Sequence, residues 1–132
     1  MTKEEITAFN NSLKVEFGLK EKRVCAKFGL MWGGGARVQS FARPIRPDGD
    51  ICLYVRQLRL VRDACDRKGY YKVSEDDSWM RTQLTNWQSM RYSFLLKEVG
   101  YGKYAITWRG RKYLERVDAA KDLIDREKEY DN

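Results

Sequence analysis

Helical periodicity interrupted by glycine is the sequence feature that most restricts the fold of this chain. Apolar side chains recur at helical spacing in three stretches, and each stretch ends at a glycine, namely Gly18, Gly69 or Gly100. A glycine past the last periodic residue is a common helix end, because it adopts the left-handed conformation without a Cβ clash. The runs between the helices leave room only for short strands. The pattern therefore predicts an α+β fold that is mainly helical.

The first helix has the clearest local signals. Thr2 and Glu5 have the spacing of a capping box, and Gly18 marks the end. Between them, one face of the predicted helix consists of Ile6, Phe9, Leu13 and Phe17. The following stretch, from Leu19 to Trp32, is compatible with a helix or with one strand of a hairpin that turns at the glycines 33–35, and the hairpin is slightly favoured. Residues 1–50 are thus predicted to form an N-terminal extension that ends in a proline-containing linker at 43–50.

Residues 51–132 are predicted to form the main domain. Asp50 is placed to cap a helix whose apolar face consists of Ile51, Tyr54, Val55, Leu58, Val61 and Cys65. A short strand is expected at 70–73, a second helix from Ser74, and a third helix from Thr85 or Asn86. The C-terminal helix carries an apolar stripe of Tyr113, Leu114, Val117, Ala120 and Leu123 or Ile124, which allows packing on the N-terminal part or pairing with a second copy in a homodimer.

The net charge of +7 is concentrated in the middle of the chain. Residues 51–112 contain 13 basic and 6 acidic side chains, whereas residues 113–132 contain 4 basic and 7 acidic ones. A basic block of this kind suits a polyanionic partner such as nucleic acid.

The sequence argues against a metal site and against catalysis. It contains no histidine, and its three cysteines, Cys25, Cys52 and Cys65, are far apart, so the ligands of a zinc site are missing. The acids Asp76 and Asp77 lie at a predicted helix start, where the helix dipole explains them. We therefore expect no enzyme activity, no cofactor and no metal. The charged N-terminus and the absence of a long apolar run predict a cytoplasmic protein without a membrane partner.

The C-terminal half resembles a known superfamily. A strand and two helices ending in LLKEVG, followed by GKYAIT and WRGRKYL, resemble the winged helix-turn-helix superfamily over residues 51–120 or so. The resemblance implies a small β-wing with a strand from Lys103 to Thr107, a cap at Thr107, and a last helix that carries Gly110, Arg111, Tyr113 and Leu114. More narrowly, the segment from Asn86 to Gly100 with AIT and RGRKYL is similar to the N-terminal DNA-targeting domain of Mrr-type restriction enzymes.

One departure from that superfamily leaves two interpretations open. Its members usually have several more residues between the glycine that ends the recognition helix and the second wing strand. Either the third helix runs to Gly100 and the wing is stunted, or the helix ends near Tyr92 and the segment from Phe94 to Val99 is the first wing strand. In the second case residues 100–102 form the hairpin turn. Of the two interpretations, the long helix is favoured.

A helix that enters the major groove presents short polar side chains outward and apolar ones inward. On a long third helix, Asn86, Ser89 and Ser93 point outward, whereas Arg91 falls on the apolar side and is given a structural role. The predicted nucleic-acid contacts on the helix are Thr85, Asn86, Gln88, Ser89, Tyr92, Ser93 and Lys97. Those around the wing are Tyr101, Lys103, Arg109, Arg111 and Lys112, while Tyr104 and Ile106 are expected in the core.

Two functions are compatible with these features. The first is a non-enzymatic transcription regulator that binds double-stranded DNA through a recognition helix in the major groove. The alternative is an interaction module, of the kind encoded by phage or mobile elements, that binds and inhibits a host nucleic-acid-processing protein. In the second case Trp32 and Phe41 of the N-terminal extension would belong to the docking surface.

Overall fold

Three helices and a three-stranded antiparallel sheet make up the part of the chain that the computed structural model describes, which is residues 1–19, 41–72 and 94–130. In chain order the elements are α1 (Lys3–Phe17), α2 (Leu53–Lys68), β1 (Tyr71–Lys72), β2 (Leu96–Gly100), β3 (Lys103–Ile106) and α3 (Trp108–Tyr130). The expected α+β class is confirmed. The predicted second helix from Ser74, the start of the third helix at Thr85 or Asn86, and the helix or hairpin across 20–40 lie outside the described residues.

Helix α1 forms as its end signals predict. The Glu5 N–H donates to Thr2 Oγ1 at 3.1 Å, and the Thr2 N–H donates to the Glu5 carboxylate at 3.2 Å, which completes the capping box. Gly18 ends the helix with φ +60°, a conformation in which glycine is free of strain. The first helix of the sequence analysis is therefore confirmed.

The start of α2 corrects the sequence analysis, because Asp50 does not cap this helix. Cys52 occupies the N-cap position without a side-chain capping bond. Asp50 instead accepts a hydrogen bond from the Ile51 N–H at 2.8 Å and pairs with Arg56 at 2.6 Å. Partial burial raises the pKa of Asp50, but the Ile51 hydrogen bond and the charges of Arg56 and Lys121 outweigh it, so the pKa lies below its usual value.

The sheet decides between the two interpretations of the third helix. Its strand order is β1-β3-β2, and β2 pairs antiparallel with β3, with Leu96 opposite Ile106 and Lys97 opposite Ala105. The favoured long helix to Gly100 is therefore wrong. The alternative of a strand in this segment is confirmed, with the strand at Leu96–Gly100 rather than Phe94–Val99. The helix end near Tyr92 lies outside the described residues. The physical reason is that residues 96–100 find backbone hydrogen-bond partners in β3, which lies immediately across a short turn.

The hydrophobic core joins residues from both sides of position 50 in one cluster. Within it, Phe41 and Phe17 each contact the Tyr113 ring edge-on, at ring-centre distances of 5.9 and 5.7 Å. The Tyr113 hydroxyl donates to the Phe41 carbonyl at 2.6 Å, and burial raises the pKa of Tyr113 well above its usual value. Residues of the predicted extension thus pack on the C-terminal helix, whose stripe includes the buried Ile124 rather than the half-exposed Leu123. The expectation that Phe41 belongs to a docking surface is wrong, because its side chain is buried in this core.

Two sets of polar contacts, one of hydrogen bonds and one of ion pairs, connect the helices to the rest of the fold. The Asn10 side chain donates to the Ile45 carbonyl at 2.9 Å and accepts from the Ile45 N–H at 3.3 Å, so α1 is bound to the segment before α2. Asp118 on α3 accepts from Arg59 at 2.5 Å and from Arg62 at 3.0 Å, which ties α3 to α2. Burial lowers the pKa of Arg62, but its hydrogen bonds to carboxylates prevail and the pKa is raised overall.

Candidate nucleic-acid interface

The hairpin of β2 and β3 has a two-residue tip. Gly100 lies opposite Lys103, so Tyr101 and Gly102 form the turn between them. Gly102 has φ +68°, which favours glycine at this position, and Tyr101 is fully exposed. The register shifts between Glu98 and Gly100, which leaves Val99 as an extra residue and bends the strand. The tip is thus shaped by a glycine and a bulge.

Thr107 fixes the base of this hairpin to the start of α3. Its N–H donates to the Leu95 carbonyl at 3.1 Å, and its hydroxyl donates to the Phe94 carbonyl at 2.6 Å. The same hydroxyl oxygen accepts from the Gly110 N–H at 3.0 Å, which is the N-cap bond of α3. The predicted cap at Thr107 is confirmed, and this residue, which directly follows β3, connects the segment before β2 with the start of α3.

One face of the sheet packs on the core. Tyr71 lies opposite Tyr104, and both side chains are buried against the core. The predicted core positions of Tyr104 and Ile106 are confirmed, since both are buried. Because successive side chains along a strand point to opposite faces, Lys72 and its partner Lys103 lie on the outer face.

Lys97 belongs to the same outer face. It lies opposite Ala105, two residues along β3 from Lys103, and it is exposed. We call Lys72, Lys97 and Lys103, one from each strand, the lysine face. Lys97 was placed on the recognition helix by the sequence analysis, and this placement is wrong because Lys97 is a residue of β2. Its predicted role as a nucleic-acid contact stays a prediction.

A further cation, Lys68, lies at the edge of the lysine face, over the ring of Tyr70. The Lys103 ammonium lies 4.7 Å from the centre of the Tyr70 ring, and the Lys68 ammonium lies 5.2 Å from the same centre. An aromatic ring attracts cations within about 6 Å of its centre. Sequence reasoning missed Lys68, Tyr70 and Lys72, because their proximity to Lys103 depends on the register between β1 and β3.

The remaining predicted contacts are already engaged within the protein. Arg111 pairs with Asp66 at 2.8 Å, and the Arg109 guanidinium lies 5.5 Å from the centre of the Phe17 ring. The Lys112 ammonium lies 5.3 Å from the centre of the exposed Trp108 ring. Contacts of these three cations with nucleic acid stay a prediction.

The helix-borne predicted contacts lie outside the described residues: Thr85, Asn86, Gln88, Ser89, Tyr92 and Ser93, together with Arg91. The structure thus brings Lys97, Tyr101 and Lys103 together on one hairpin. That this hairpin and the predicted recognition helix together contact nucleic acid stays an expectation.

The outer face of the described sheet is cationic. Ammonium groups donate hydrogen bonds and carry charge, which suits the oxygen atoms of phosphate groups. Across residues 1–19, 41–72 and 94–130, no group of three or more histidine, cysteine or acidic side chains is arranged to hold a metal ion. In the same ranges, no helix has the length and apolar character needed to cross a bilayer.

In comparisons with known proteins, no family model, no curated protein and no solved structure matched this chain.

Proposed function

We propose that this protein is a winged helix-turn-helix protein that binds double-stranded DNA and acts as a transcription regulator. The observation that supports the proposal best is the β2–β3 hairpin, which follows the segment predicted to form two helices. Its tip residue Tyr101 is fully exposed, and it is flanked by Lys97 and Lys103 on the two strands. The order of β1, the segment 73–93, β2, β3 and α3 is the order that the superfamily resemblance implies.

In this proposal the two parts of the interface have different tasks. The predicted recognition helix reads base edges through Asn86, Ser89 and Ser93, whose short polar side chains fit the major groove. The hairpin contacts the DNA backbone, because the lysines on its two strands and a tyrosine at its tip reach phosphate oxygens without reading sequence. The activity is therefore binding, and no chemical step is assigned to it.

A fluorescence-anisotropy titration on duplex DNA tests the proposal. The wild type is titrated at several salt concentrations beside a double variant, Lys97→Ala with Tyr101→Ala. We expect tight binding at low salt, a linear fall of log K with log salt, and a weaker and shallower response for the variant. Binding of duplex DNA no tighter than binding of an acidic polypeptide of similar charge would refute the proposal.

Lys3→Ala is the matched control for charge. Lys3 is exposed at the start of α1, beside Met1, whose amino group pairs with Glu127 near the end of α3. The hairpin joins α3 at its other end, and α3 has 23 residues, a length of about 35 Å at 1.5 Å per residue. Lys3→Ala therefore removes one positive charge far from the hairpin, and we expect its DNA affinity to match that of the wild type closely.

Exposed apolar side chains favour the alternative, a module that binds and inhibits a host nucleic-acid-processing protein. Phe94 is 66% exposed and Trp108 is 73% exposed, and Thr107, beside Trp108, is bonded to the Phe94 carbonyl. Such side chains are typical of protein contacts when they form a patch. Trp108→Ala separates the two functions. It leaves DNA affinity unchanged if the first is correct, and it abolishes nuclease-resistant capture of a host protein if the second is.

A further inference from the structure

The lysine face poses an electrostatic problem within the folded protein. Lys72 and Lys103 lie directly opposite each other in the antiparallel pair of β1 and β3. Like charges at directly opposite positions destabilise a sheet. Among the residues that the structure describes, no carboxylate forms an ion pair with either lysine. Within the described residues, the repulsion of this pair is therefore not offset by an acid.

The surroundings of the pair concentrate this charge. Lys103 is drawn over the Tyr70 ring, and the same ring holds the Lys68 ammonium from the end of α2. Lys97 adds a fourth ammonium group on the third strand of the sheet. Because cation–π contacts hold Lys68 and Lys103 near one ring, less side-chain freedom is lost when an anion binds them.

We propose that the pair of Lys72 and Lys103, with Lys68 held at Tyr70, is a phosphate-binding site for the backbone of one nucleic-acid strand. The inference rests on the proposed function and extends its interface from the hairpin tip across the outer face of the sheet to β1. The bound phosphodiester groups offset the repulsion between the two lysines. Bases do not stack on Tyr70 in this arrangement, because its ring already holds two ammonium groups.

The proposal predicts that a carboxylate in place of Lys72 lowers the affinity for DNA without lowering the stability of the protein. In the variant Lys72→Glu, a carboxylate faces Lys103, so an attraction across the strands replaces a repulsion. We expect the melting temperature of Lys72→Glu to equal or exceed that of the wild type. We expect its affinity for duplex DNA at low salt to fall by about five- to ten-fold, and its salt slope to be shallower by about 0.9 for each lost phosphate contact.

The experiment measures both quantities on the full chain, with Lys3→Glu as the control. Lys3→Glu makes the same change of charge at the far end of α3, and we expect its affinity to decrease far less than that of Lys72→Glu. The double variant with Lys72→Glu and Lys103→Glu places two acids opposite each other. Its melting temperature should fall below that of Lys72→Glu, and its DNA affinity should be the lowest of the set.

The outcomes distinguish this inference from the proposed function. If the wild type binds duplex DNA and Lys72→Glu keeps the wild-type affinity and salt slope, the site at β1 is refuted and the proposed function stands. A melting temperature of Lys72→Glu several degrees below that of the wild type refutes the repulsion on which the inference depends. If the wild type does not bind duplex DNA at all, the proposed function fails, and this site fails with it.

Discussion

Gly110 allows α3 to approach the hairpin, and its replacement by alanine is the most direct test of this junction. An added Cβ would lie 2.3 Å from the Leu95 carbonyl oxygen and 2.7 Å from Ile106 Cγ1. Ordinary contacts of a Cβ atom begin near 3.4 Å. The Leu95 oxygen belongs to the backbone and already accepts the Thr107 N–H, so it has no rotamer by which to move away. The start of α3 must therefore shift relative to the hairpin.

The expected size of the effect follows from three contributions. Forcing a methyl group into a filled site costs about 1–3 kcal/mol, and a backbone clash belongs at the upper end. Loss of the Thr107 cap bond or the Thr107–Leu95 bond adds about 1 kcal/mol, whereas alanine regains about 1 kcal/mol of helix propensity. We expect Gly110→Ala to lower the free energy of unfolding by about 2–3 kcal/mol, which corresponds to a melting temperature lower by roughly 10 °C.

Urea and thermal unfolding followed by far-UV circular dichroism measure this effect. Gly100→Ala is the matched control, because the nearest atom to its added Cβ is Cδ of the flexible Lys103 side chain, at 3.4 Å. We expect Gly100→Ala to change the free energy of unfolding by less than about 1 kcal/mol. If Gly110→Ala unfolds within about 0.5 kcal/mol of the wild type, the close approach of α3 to Leu95 is incorrect.

Three further predictions concern buried polar groups. Asn10→Ala should lower the free energy of unfolding by about 2 kcal/mol in urea titrations, because both backbone groups of Ile45 lose their partner. An unchanged urea midpoint would contradict these two hydrogen bonds. Tyr113→Phe should cost about 1 kcal/mol at neutral pH, from the lost bond to Phe41. The pKa of Tyr113 is raised in the folded protein. The stabilisation that its protonated hydroxyl provides is therefore present below about pH 10 and is lost as the pH rises above it. The difference in the free energy of unfolding between wild type and Tyr113→Phe should therefore narrow at alkaline pH. Gln57→Met should raise the free energy of unfolding by about 1 kcal/mol, since the Gln57 amide is buried and has no hydrogen-bond partner among the described residues; a decrease of similar size would reveal a partner.

Local signals in the sequence were sufficient for the first and last helices. The capping box of α1 and the cap at Thr107 act between residues three apart, and Gly18 acts at a single position. Such signals depend on nearby backbone geometry alone, so they can be read without knowledge of the fold. The false cap at Asp50 shows the limit of this reasoning. The segment from Pro44 to Cys52 forms its own bridged turn, with Ile45 paired to Ile51, and the helix starts only after it.

The hairpin could not be predicted in the same way. The letters FLLKEV contain apolar residues at helical spacing and also fit a half-buried strand, so periodicity does not decide between them. The partner strand decides, because residues 103–106 offer the backbone groups that pair with β2. Phe94 reflects this constraint, since it has φ +58°, a rare conformation for an aromatic residue, immediately before the strand.

The same limitation applies to the basic side chains, and the structure suggests a division of roles among them. Arg59 and Arg62 bind one carboxylate on α3, and Arg111 binds Asp66, which is 45 positions away in sequence. No local sequence pattern predicts such distant partners. The planar guanidinium group suits fixed carboxylate pairs, whereas the ammonium group of lysine is a strongly hydrated point charge. These three arginines therefore stabilise the fold, while the charge on the outer face of the sheet comes from lysines. It follows that DNA binding should be more sensitive to loss of Lys72, Lys97 and Lys103 than to loss of an equal number of helix arginines, once the variants are compared at equal folded fraction.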